Sequence, residues 1–596
     1  MTKVKEQLKN DPLMPLRHTA EHVLHMAMQE LYPSLKKVMG PPIEDGFYFD
    51  FDLDTKVSAD DFAKIEKLMQ EIIDADLPVK HAESLVEEAK KIFKDNAYKI
   101  DTVNEIAQRG ESVTLYEIGK KGDKHCDLDL CAGPHAKSTG EVKAFKLLSV
   151  AGAYYKGSEK NKMLTRIYGT AFSDKKDLDD YIKKQEEAKS RDHRKLGKEL
   201  DLFVFSDLVG SGLPLFTPKG TIIRKELENF VKALQDKHGY QTVLIPHLAK
   251  KELYETSGHW AKYGENMFKV ISHDKEEFSL KPMNCPHHTQ IYAARPRSYR
   301  DLPQRYAEVT AVYRCEKAGE LLGLSRVYML TQDDAHVFCT EEQAIDECLK
   351  VYDIIKTFYA ALGFGMNMRV RMSLRDPKTP EKYLGSDEQW DKAENMMREV
   401  AKTAQLDVYD GIGEAAFYAP KLDFMAYDAL GREWQLATIQ LDFNQPARFG
   451  LEYTDKDGTK KTPVMIHRAI LGSVERFMSV LIEHFAGAFP VWLAPVQVQI
   501  IPIAEKHVDY GQKLVQLLKE KGLRAEIDDH NETMQSKIRA AQVQKIPYMF
   551  VVGDREMENN QVSVRLRSGE SYNAQNVADT IDKLNAIYLT KSLNLW

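Results

Sequence analysis

The sequence predicts a multidomain α+β protein, with a central antiparallel sheet flanked by helices and a smaller α/β domain after it. Three observations lead to this prediction. The chain has 596 residues, too many for a single hydrophobic core. Its middle part alternates helical periodicity with short β-rich runs, and its C-terminal part alternates strands and helices regularly.

The composition is that of an ordinary globular protein. Hydrophobic residues make up 43% and charged residues 29% of the chain, and the formal net charge is −7. This charge excludes a uniformly basic nucleic-acid coat but not a local basic groove. The six cysteines are few and irregularly spaced, which favours a reducing compartment over a disulfide framework. Because we find no apolar leader and no apolar run of membrane-spanning length, we expect a cytoplasmic protein with no membrane partner.

Four segments follow one another along the chain. Residues 1–173 combine an amphipathic helix, HTAEHVLHMAMQEL, with an alternating strand, GFYFDFD, and predict an α+β domain. Residues 174–200 are highly charged with few apolar positions and predict a solvated linker helix. Residues 201–490 carry the predicted antiparallel sheet. Residues 491–596, which follow the boundary PVWLAP, predict a small α/β domain with a mostly parallel sheet.

Three residues of the central segment are candidate metal ligands: Cys285 in KPMNCPHH, His336 in TQDDAHVF and His467 in VMIHRAILGS. One thiol and two imidazoles suit Zn²⁺, and three protein ligands leave a fourth position for water or substrate. The alternative is that Cys285 is simply a buried cysteine and that the two histidines are unrelated polar residues. For each residue considered alone, this alternative is the better explanation. The neighbouring His287 is expected at the surface, because adjacent side chains rarely reach one metal.

Arginines of the same segment are candidate ligands of a polyphosphate. Arg314 and Arg326 flank a polar loop, together with Glu316, in VYRCEKAGELLGLSR. Arg476 lies on an apolar helix, GSVERF, where an unpaired guanidinium would be costly to bury. Arginine contacts phosphate in a bidentate manner, and three converging arginines would stabilise charge at an α-phosphorus during displacement. No Walker A loop or GxGxxG cradle occurs in a suitable context, so side chains would hold the nucleotide.

These segments resemble the three motifs of class II aminoacyl-tRNA synthetases. The helix and strand that end at Pro246 resemble motif 1, and the R-x-E segment at Arg314 resembles motif 2. The GxxxR segment from Gly472 to Arg476 resembles motif 3. The strings NCPxH, TQDDAH, FYxPKxDF, WQxxTxQLDF and VMIHRAILGS resemble the threonyl-tRNA synthetase family specifically, and the match covers essentially the whole chain. It implies threonine activation with ATP, transfer to the 3′ end of threonine tRNA, and hydrolytic editing of mischarged seryl-tRNA.

The resemblance also implies cofactors, partners and residue roles. One Zn²⁺ per chain would be held by Cys285, His336 and His467, with Mg²⁺ accompanying ATP and a homodimer forming through motif 1. The threonine pocket would consist of Asp334, Tyr418, Gln440 and Ser473. The ATP and catalytic residues would be Arg314, Glu316, Arg326, Lys421, Gln435 and Arg476, with His259 serving the transfer to tRNA.

Chemical logic agrees with a zinc-based pocket. Threonine and valine are near-isosteres, which an apolar pocket separates poorly, but valine has no hydroxyl to offer to a metal. Serine does have a hydroxyl, so zinc cannot exclude it. A second, hydrolytic site follows from that weakness.

The N-terminal segment contains a second histidine and cysteine set. An H-x-x-x-H pair projects from one face of the predicted helix, and a C-x-x-x-H pair has similar spacing in DLCAGPH. Spacing alone predicts a closed, four-ligand zinc site. The resemblance implies instead an editing pocket that need not hold metal. The implied editing residues are His18, His22, Lys99, Asp129, Cys131 and His135, whereas His25 is expected to be partly exposed.

The sequence departs from the family pattern in three places. Leu330 stands where an aromatic residue usually stacks on adenine, which implies weaker ATP binding or compensation by Tyr328. Leu322 stands where histidine is common in the motif 2 loop. Because His18 follows only 17 residues of chain, we expect the small ubiquitin-like N-terminal domain of the family to be missing.

The C-terminal segment resembles the family's anticodon-binding domain. Arg565 and Arg567 alternate onto one face of a strand, and Arg539 lies on the preceding helix, so all three are candidate contacts of the tRNA anticodon. Two other functions remain open at this point. One is a synthetase-like RNA-binding or regulatory paralogue without catalysis, and the other is a stand-alone zinc hydrolase.

Overall fold

The computed structural model describes residues 11–364, 368–427 and 432–596. The chain divides into two compact units, one that ends at Glu186 and one that begins at Glu187. Among the helices of the described residues, none combines the length and the apolar character that a membrane crossing requires.

The first unit contains two antiparallel sheets and the helices packed on them. Its strands are β1 (Lys36–Met39), β2 (Pro42–Ile43), β3 (Gly46–Asp52), β4 (Val79–Ser84), β5 (Val113–Ile118), β6 (Asp127–Leu130), β7 (Ala144–Tyr154) and β8 (Met163–Phe172), and its helices include α1 (Met14–Leu31), α2 (Phe62–Asp74), α3 (Val86–Ile92) and α4 (Ala97–Gln108). The larger sheet has the order β1-β3-β8-β7, with β2 paired to β3, and the smaller has the order β4-β5-β6.

Helix α1 is buried along most of its length. Its apolar residues Val23 and Leu24 belong to the same core cluster as Phe47 and Phe49 of β3. Histidines at positions four apart project from one face of a helix. The packing of α1 therefore carries its histidines into the interior of this unit.

The charged segment between the units differs from its prediction. It forms two helices, α5 (Lys175–Arg191) and α6 (His193–Glu199), because Asp192 leaves the helical conformation and caps α6 by accepting from the Arg194 N–H. Helix α6 is not solvated, since Leu196 packs in the core of the second unit and His193 Nδ1 lies 2.7 Å from Glu483 Oε1. The few apolar positions of the segment are enough to anchor its end.

The second unit begins with a large α+β domain. Its strands are β9 (Phe203–Val204), β10 (Leu215–Phe216), β11 (Gln241–Thr242), β12 (Leu248–Lys250), β13 (Lys269–Ile271), β14 (Glu277–Leu280), β15 (Gln304–Tyr313), β16 (Met329–Cys339), β17 (Arg369–Leu374), β18 (Val408–Ile412), β19 (Lys421–Tyr427), β20 (Glu433–Asp442), β21 (Tyr453–Thr454), β22 (Lys460–Lys461) and β23 (Val464–Ala469). Its helices are α7 (Pro218–Lys237), α8 (Lys251–Ser257), α9 (His259–Tyr263), α10 (Cys285–Ala293), α11 (Glu341–Ala360), α12 (Asp387–Thr403), α13 (Asn444–Arg448) and α14 (Val474–His484).

One eight-stranded sheet organises this domain, in the order β11-β15-β16-β23-β20-β19-β17-β18. It is antiparallel except for the pairs β11–β15 and β17–β18. Helices α7 and α11 and strand residues such as Val337 share one large core cluster. The strand predicted to end at Pro246 is shorter than expected, since β11 covers only two residues at the sheet edge. The predicted antiparallel sheet flanked by helices is confirmed.

The C-terminal part of the second unit contains β24 (Val498–Pro502), β25 (Ala525–Ile527), β26 (Tyr548–Val552), β27 (Gln561–Leu566), β28 (Ser571–Asn576), α15 (Val508–Glu520), α16 (Met534–Val543), α17 (Asp554–Asn559) and α18 (Val577–Leu589). The sheet order is β25-β24-β26-β27-β28. It is mixed rather than mostly parallel, because β26, β27 and β28 are joined by short connections and pair antiparallel.

Candidate active site

Cys285, His336 and His467 lie together in the interior of the second unit. Cys285 begins α10, and the two histidines are direct register partners on β16 and β23. The two imidazole rings are 4.8 Å apart, and one ligand atom from each of the three residues lies within 4.8 Å of the others. None of the three is more than 4% exposed. The fold thus brings the predicted ligands into one site.

Two further side chains orient the imidazoles of this triad. His467 Nε2 donates to Asp442 Oδ2 at 2.9 Å, and His336 Nδ1 shares a hydrogen bond with His288 Nδ1 at 2.8 Å. These contacts leave Nδ1 of His467 and Nε2 of His336 for a metal. Metal-binding histidines usually have such an outer partner. Sequence reasoning missed both partners, although an aspartate that ends an apolar strand was a signal for Asp442.

The electrostatics of the triad also fit a metal. Burial lowers the pKa of His336 well below its ordinary value, so its imidazole is neutral and able to coordinate. Burial raises the pKa of the Cys285 thiol well above its ordinary range, so the thiolate needs a nearby cation to form. The donor set therefore suits Zn²⁺, which takes thiolate and neutral imidazole ligands.

The prediction that His287 lies at the surface was wrong. Its side chain is 7% exposed, because the first turn of α10 is buried around the whole helix. Neither ring nitrogen of His287 has a hydrogen-bond partner among the described residues.

A cavity of about 210 Å³ collects most of the predicted ATP and threonine residues. Among the residues that line it are Arg314, Glu316, Arg326, Leu330, Tyr418, Gln435, Gln440, Ser473 and Arg476. The cavity adjoins the triad, because the Tyr418 ring lies 4.9 Å from the His467 ring and Gln440 is the register partner of His467.

The guanidinium groups of this cavity are close enough to repel one another. Burial, with repulsion from Arg314 and Arg326, lowers the pKa of Arg476 to about 10. Arg326 is held by Glu316 Oε2 and Glu320 Oε2, each 2.8 Å from its Nη2. Positive groups held together in a cleft form a site for an anion such as a polyphosphate.

The start of α14 shapes the cavity floor. Ser473 caps this helix by accepting from the Arg476 N–H at 3.2 Å. Gly472 has a φ of +64°, and a Cβ at this position would overlap the carbonyl oxygen of Leu436. The glycine therefore allows the strand to turn tightly into the helix and places Ser473 and Arg476 at the cavity.

Three predicted residues lie outside this cavity lining. Asp334 Oδ2 accepts from Asn284 Nδ2 at 3.0 Å, and burial raises the pKa of Asp334 to about 6. Lys421 Nζ donates to Asp423 Oδ2 at 2.8 Å. His259 is fully buried, its Nε2 is 3.7 Å from Cys285 Sγ, and burial lowers the pKa of His259 to about 3. The first and third of these residues lie beside the metal triad rather than the arginines.

Leu330, one of the departures from the family pattern, and Tyr328 lie at different places relative to the cavity. Leu330 lines the cavity, as its place in the sequence predicted. Tyr328 is not among the lining residues and packs against Phe268 instead, with ring centroids 5.9 Å apart. The compensation predicted for Tyr328 is therefore wrong.

The first unit also brings its predicted site residues together. Cys131 Sγ lies 3.1 Å from His18 Nε2 and 3.2 Å from His135 Nε2, and His22 can join these three as a ligand group. Lys99 Nζ is 2.8 Å from Asp129 Oδ1 beside them. We call His18, His22, Cys131 and His135 the editing cluster.

The groups of the editing cluster are held neutral. Burial lowers the pKa of His18 to about 4 and raises the pKa of the Cys131 thiol to about 12. Against the effect of burial, Lys37 and Lys99 hold the pKa of Asp129 below its ordinary value. The expectation that His25 is partly exposed was wrong, because it lies on the buried face of α1 and is 0% exposed.

The candidate anticodon residues have different surroundings. Arg539 is exposed on α16, and Arg565 lies on β27. Arg567 follows β27 and donates to the carbonyl oxygens of Phe489 and Lys545, so its guanidinium is engaged inside the protein.

Three parts of the chain match models of known protein families. Residues 268–485 match the tRNA synthetase class II core domain (G, H, P, S and T). Residues 497–587 match an anticodon binding domain, and residues 113–168 match the second additional domain of threonyl and alanyl tRNA synthetases.

Whole-chain relatives decide the family. The threonine–tRNA ligase of Rubrobacter xylanophilus is 51% identical over 556 residues, which cover 93% of this chain and 85% of the relative. That of Thermotoga neapolitana is 47% identical over 590 residues, covering 98% of this chain and 90% of the relative. The chain belongs to the threonine–tRNA ligase family. Among solved structures, the RNA binding domain of threonyl-tRNA synthetase from Cryptosporidium parvum Iowa II has a TM-score of 0.64 at 36% identity, over 68% of this chain and all of that one.

Family membership settles the class of function. The chain is an aminoacyl-tRNA synthetase with a class II catalytic core, an anticodon-binding domain and an editing domain. The predicted fold class, enzyme class and function are confirmed. A non-catalytic paralogue is not favoured, and a stand-alone hydrolase would leave the class II core unexplained.

Proposed function

We propose that this threonine–tRNA ligase selects threonine with a metal held by Cys285, His336 and His467. The observation that carries the proposal is the position of this triad, which adjoins the arginine-lined cavity through Tyr418 and Gln440. Zn²⁺ held there would supply a Lewis-acid contact for the amino and hydroxyl groups of threonine.

The residues around the triad complete the threonine pocket. The Tyr418 hydroxyl donates to Gln440 Oε1 at 2.8 Å, which fixes both side chains at the cavity wall. Asp334, held by Asn284, is placed to accept from the substrate ammonium or hydroxyl group. Ser473 lines the same cavity.

The arginines of this cavity would bind ATP with Mg²⁺. We assign Arg314 to the α-phosphate and the carboxylate, because its guanidinium lies in the cavity beside those of Arg326 and Arg476. Fixed positive charge of this kind stabilises the charge that develops when the threonine carboxylate displaces pyrophosphate. Gln435 lines the same cavity, whereas Lys421 would contribute by positioning Asp423.

Transfer and editing use other residues. His259, whose imidazole is neutral, is assigned to the transfer onto the tRNA ribose. The editing cluster, with Lys99 and Asp129, is assigned to the hydrolysis of seryl-tRNA. Because its imidazoles have lowered pKa values, they would act by positioning water and substrate more than as strong bases.

The larger organisation is proposed on the same basis. Residues 1–173 would be the editing domain, 174–200 the linker, 201–490 the catalytic domain and 491–596 the anticodon-binding domain, with Arg539, Arg565 and Arg567 as anticodon contacts. A homodimer through motif 1 is supported by the edge strand β11 and by Leu244 beside it, which is 88% exposed. Cysteine usage supports the cytoplasm as the compartment.

The test is ATP–pyrophosphate exchange with threonine, valine and serine. In the unaltered protein we expect exchange with threonine and serine but not with valine. A His336→Ala variant that keeps its fold should lose the metal and, with it, exchange with both threonine and serine. Full exchange in that variant, or exchange with valine as fast as with threonine, would overturn the metal-based selection.

A further inference from the structure

A second group of buried side chains lies behind the editing cluster in the first unit. Glu21, His22 and His25 occupy one stretch of α1, and each can offer one ligand atom within 4.8 Å of the other two. The exposed fractions of these residues are 1%, 1% and 0%. We call these three residues the acidic triad, which shares His22 with the editing cluster.

Hydrogen bonding separates the acidic triad from its neighbours. Cys131 Sγ lies 3.1 Å from His18 Nε2 and 3.2 Å from His135 Nε2, so these three residues already contact one another through the thiol. Among the described residues, no hydrogen bond reaches either carboxylate oxygen of Glu21 or either ring nitrogen of His25. Because buried polar atoms are nearly always paired, such a concentration of unpaired ones indicates an ion or water between them.

Charge points to a cation rather than water. The surroundings contain three buried carboxylates and two ammonium groups. Lys37 Nζ pairs with Asp127 Oδ1 at 2.5 Å, and Lys99 Nζ pairs with Asp129 Oδ1 at 2.8 Å. No lysine or arginine of the described chain pairs with Glu21; its Oε2 has only the Nε2 atoms of two imidazoles 3.7 Å away. A buried carboxylate without a partner is strongly disfavoured, so this group lacks one positive charge.

We propose that Glu21, His22 and His25 bind a Zn²⁺ ion that is separate from the one assigned to the catalytic cavity. Two imidazoles and one carboxylate are a ligand set that zinc takes in proteins. Asp127 can supply the fourth ligand, since its Oδ2 is unpaired and lies 3.6 Å from His25 Nε2.

Complete burial defines the role of this ion. A site whose three ligands are at most 1% exposed is closed to substrate, as structural zinc sites are. The ion would fix the His22 ring, which also faces the editing cluster, with its centroid 4.5 Å from that of His135. It would also tie α1 to β6 through Asp127. The metal thus positions a residue of the editing cluster without contacting the substrate.

The alternative without metal is a protonated Glu21. Burial raises the pKa of this carboxyl group well above its ordinary value, which would make it neutral. The two alternatives differ in what happens when the polar groups are replaced. Replacing unpaired buried polar groups by apolar or neutral ones of similar shape is nearly neutral or stabilising, whereas removing metal ligands costs the binding free energy of the ion.

The decisive experiment counts zinc in the purified full-length chain by plasma mass spectrometry. We expect two zinc ions per chain in the unaltered protein and one in a Glu21→Gln, His25→Leu double variant. The matched control is His125→Leu, which removes another buried imidazole of the same unit, paired with Glu30 at 2.7 Å, and should keep two ions. A Cys285→Ser variant should lose the other ion and keep this one. Failure of the catalytic zinc is thereby distinguished from failure of this site.

Melting temperature and cobalt spectra complete the test. The double variant should melt below the unaltered protein, and chelation should lower the melting temperature of the latter more than that of the former. Co²⁺ loaded into the Cys285→Ser variant should show no sulfur-to-cobalt charge transfer. The proposal would be overturned by loss of all zinc in the Cys285→Ser variant, or by a double variant that keeps the zinc content of the unaltered protein. A double variant as stable as the unaltered protein, or a sulfur band that assigns the ion to Cys131, would also overturn it.

Discussion

Cys285, His336 and His467, which we call the catalytic triad, contain the same residue types as the editing cluster but differ from it in the charged groups around them. Cys285 and its two histidines adjoin a cavity that gathers three guanidinium groups. Cys131 and its histidines lie beside buried carboxylates, including Asp129 and Glu21. The cavity beside the first site therefore offers positive charge to a polyphosphate anion, whereas the lysines beside the second site are paired with carboxylates.

The difference teaches that ligand types alone do not assign a function to a histidine and cysteine cluster. The catalytic triad has outer partners that orient its imidazoles, and its cysteine Sγ lies 3.7 Å from the Nε2 atom of His259. The thiol of the editing cluster already bridges two imidazoles. Guanidinium groups adjoin the first cluster, as a nucleotide-binding site requires, whereas the second cluster lies beside lysine–carboxylate pairs.

The largest effect is expected from Arg314→Ala. Removal of a guanidinium that stabilises transition-state charge should lower kcat/KM of ATP–pyrophosphate exchange by about 10³-fold. Hydrolysis of preformed seryl-tRNA should be unchanged, because the editing cluster lies in the other unit. Equal loss of ATP–pyrophosphate exchange and of seryl-tRNA hydrolysis would show that the two sites do not act separately.

The reciprocal change is Cys131→Ala, with Cys126→Ala as an exposed control. Loss of the thiol that bridges His18 and His135 should lower the rate of seryl-tRNA hydrolysis by roughly 10²-fold, since misplaced catalytic groups lose their positioning. Threonine-dependent exchange should stay at the level of the control. An unaltered hydrolysis rate would remove Cys131 from the editing site.

Most of the fold, and the histidines and cysteines of both sites, could be predicted from the sequence. The alternation of helical periodicity with short β-rich runs predicted the central sheet. The chemistry of zinc ligands predicted that Cys285, His336 and His467 belong to one site. The register that makes His336 and His467 partners could not be predicted, because strands β20 and β23 enter the sheet far along the chain from β16.

Three of the wrong predictions concern solvent exposure, at positions where the local sequence suggests a surface residue but the folded protein buries it. His25 lies three residues after His22 and so shares its helical face, a signal that was present but not used. His287 is buried because the first turn of α10 is covered on all sides, which depends on tertiary packing that no local pattern reveals. The linker was predicted as solvated because its charged residues outnumber Leu196 and its few apolar neighbours.

A smaller effect is expected from Asp442→Asn. The neutral amide no longer raises the basicity of His467, and loss of such an outer partner weakens metal binding by about 10–100-fold. Zinc release to a chelator measures this effect, with the exposed Asp274→Asn as control. Weakened binding should concern one ion only, so that the zinc of the acidic triad keeps its affinity. Identical release from both variants would show that Asp442 does not support the metal.

The smallest effect is expected from Leu330→Phe, which tests the arginine-lined cavity without changing a charged residue. Leu330 lines that cavity and can cover an adenine face only through apolar contact. An aromatic ring adds about 1 kcal/mol of stacking, which corresponds to roughly a fivefold lower KM for ATP in the exchange assay. Leu321→Phe, on the adjoining loop and outside the cavity lining, is the matched control. Because the editing cluster does not bind ATP, seryl-tRNA hydrolysis should be the same in both variants. A raised KM for ATP in Leu330→Phe would mean that the adenine base of ATP does not lie against residue 330.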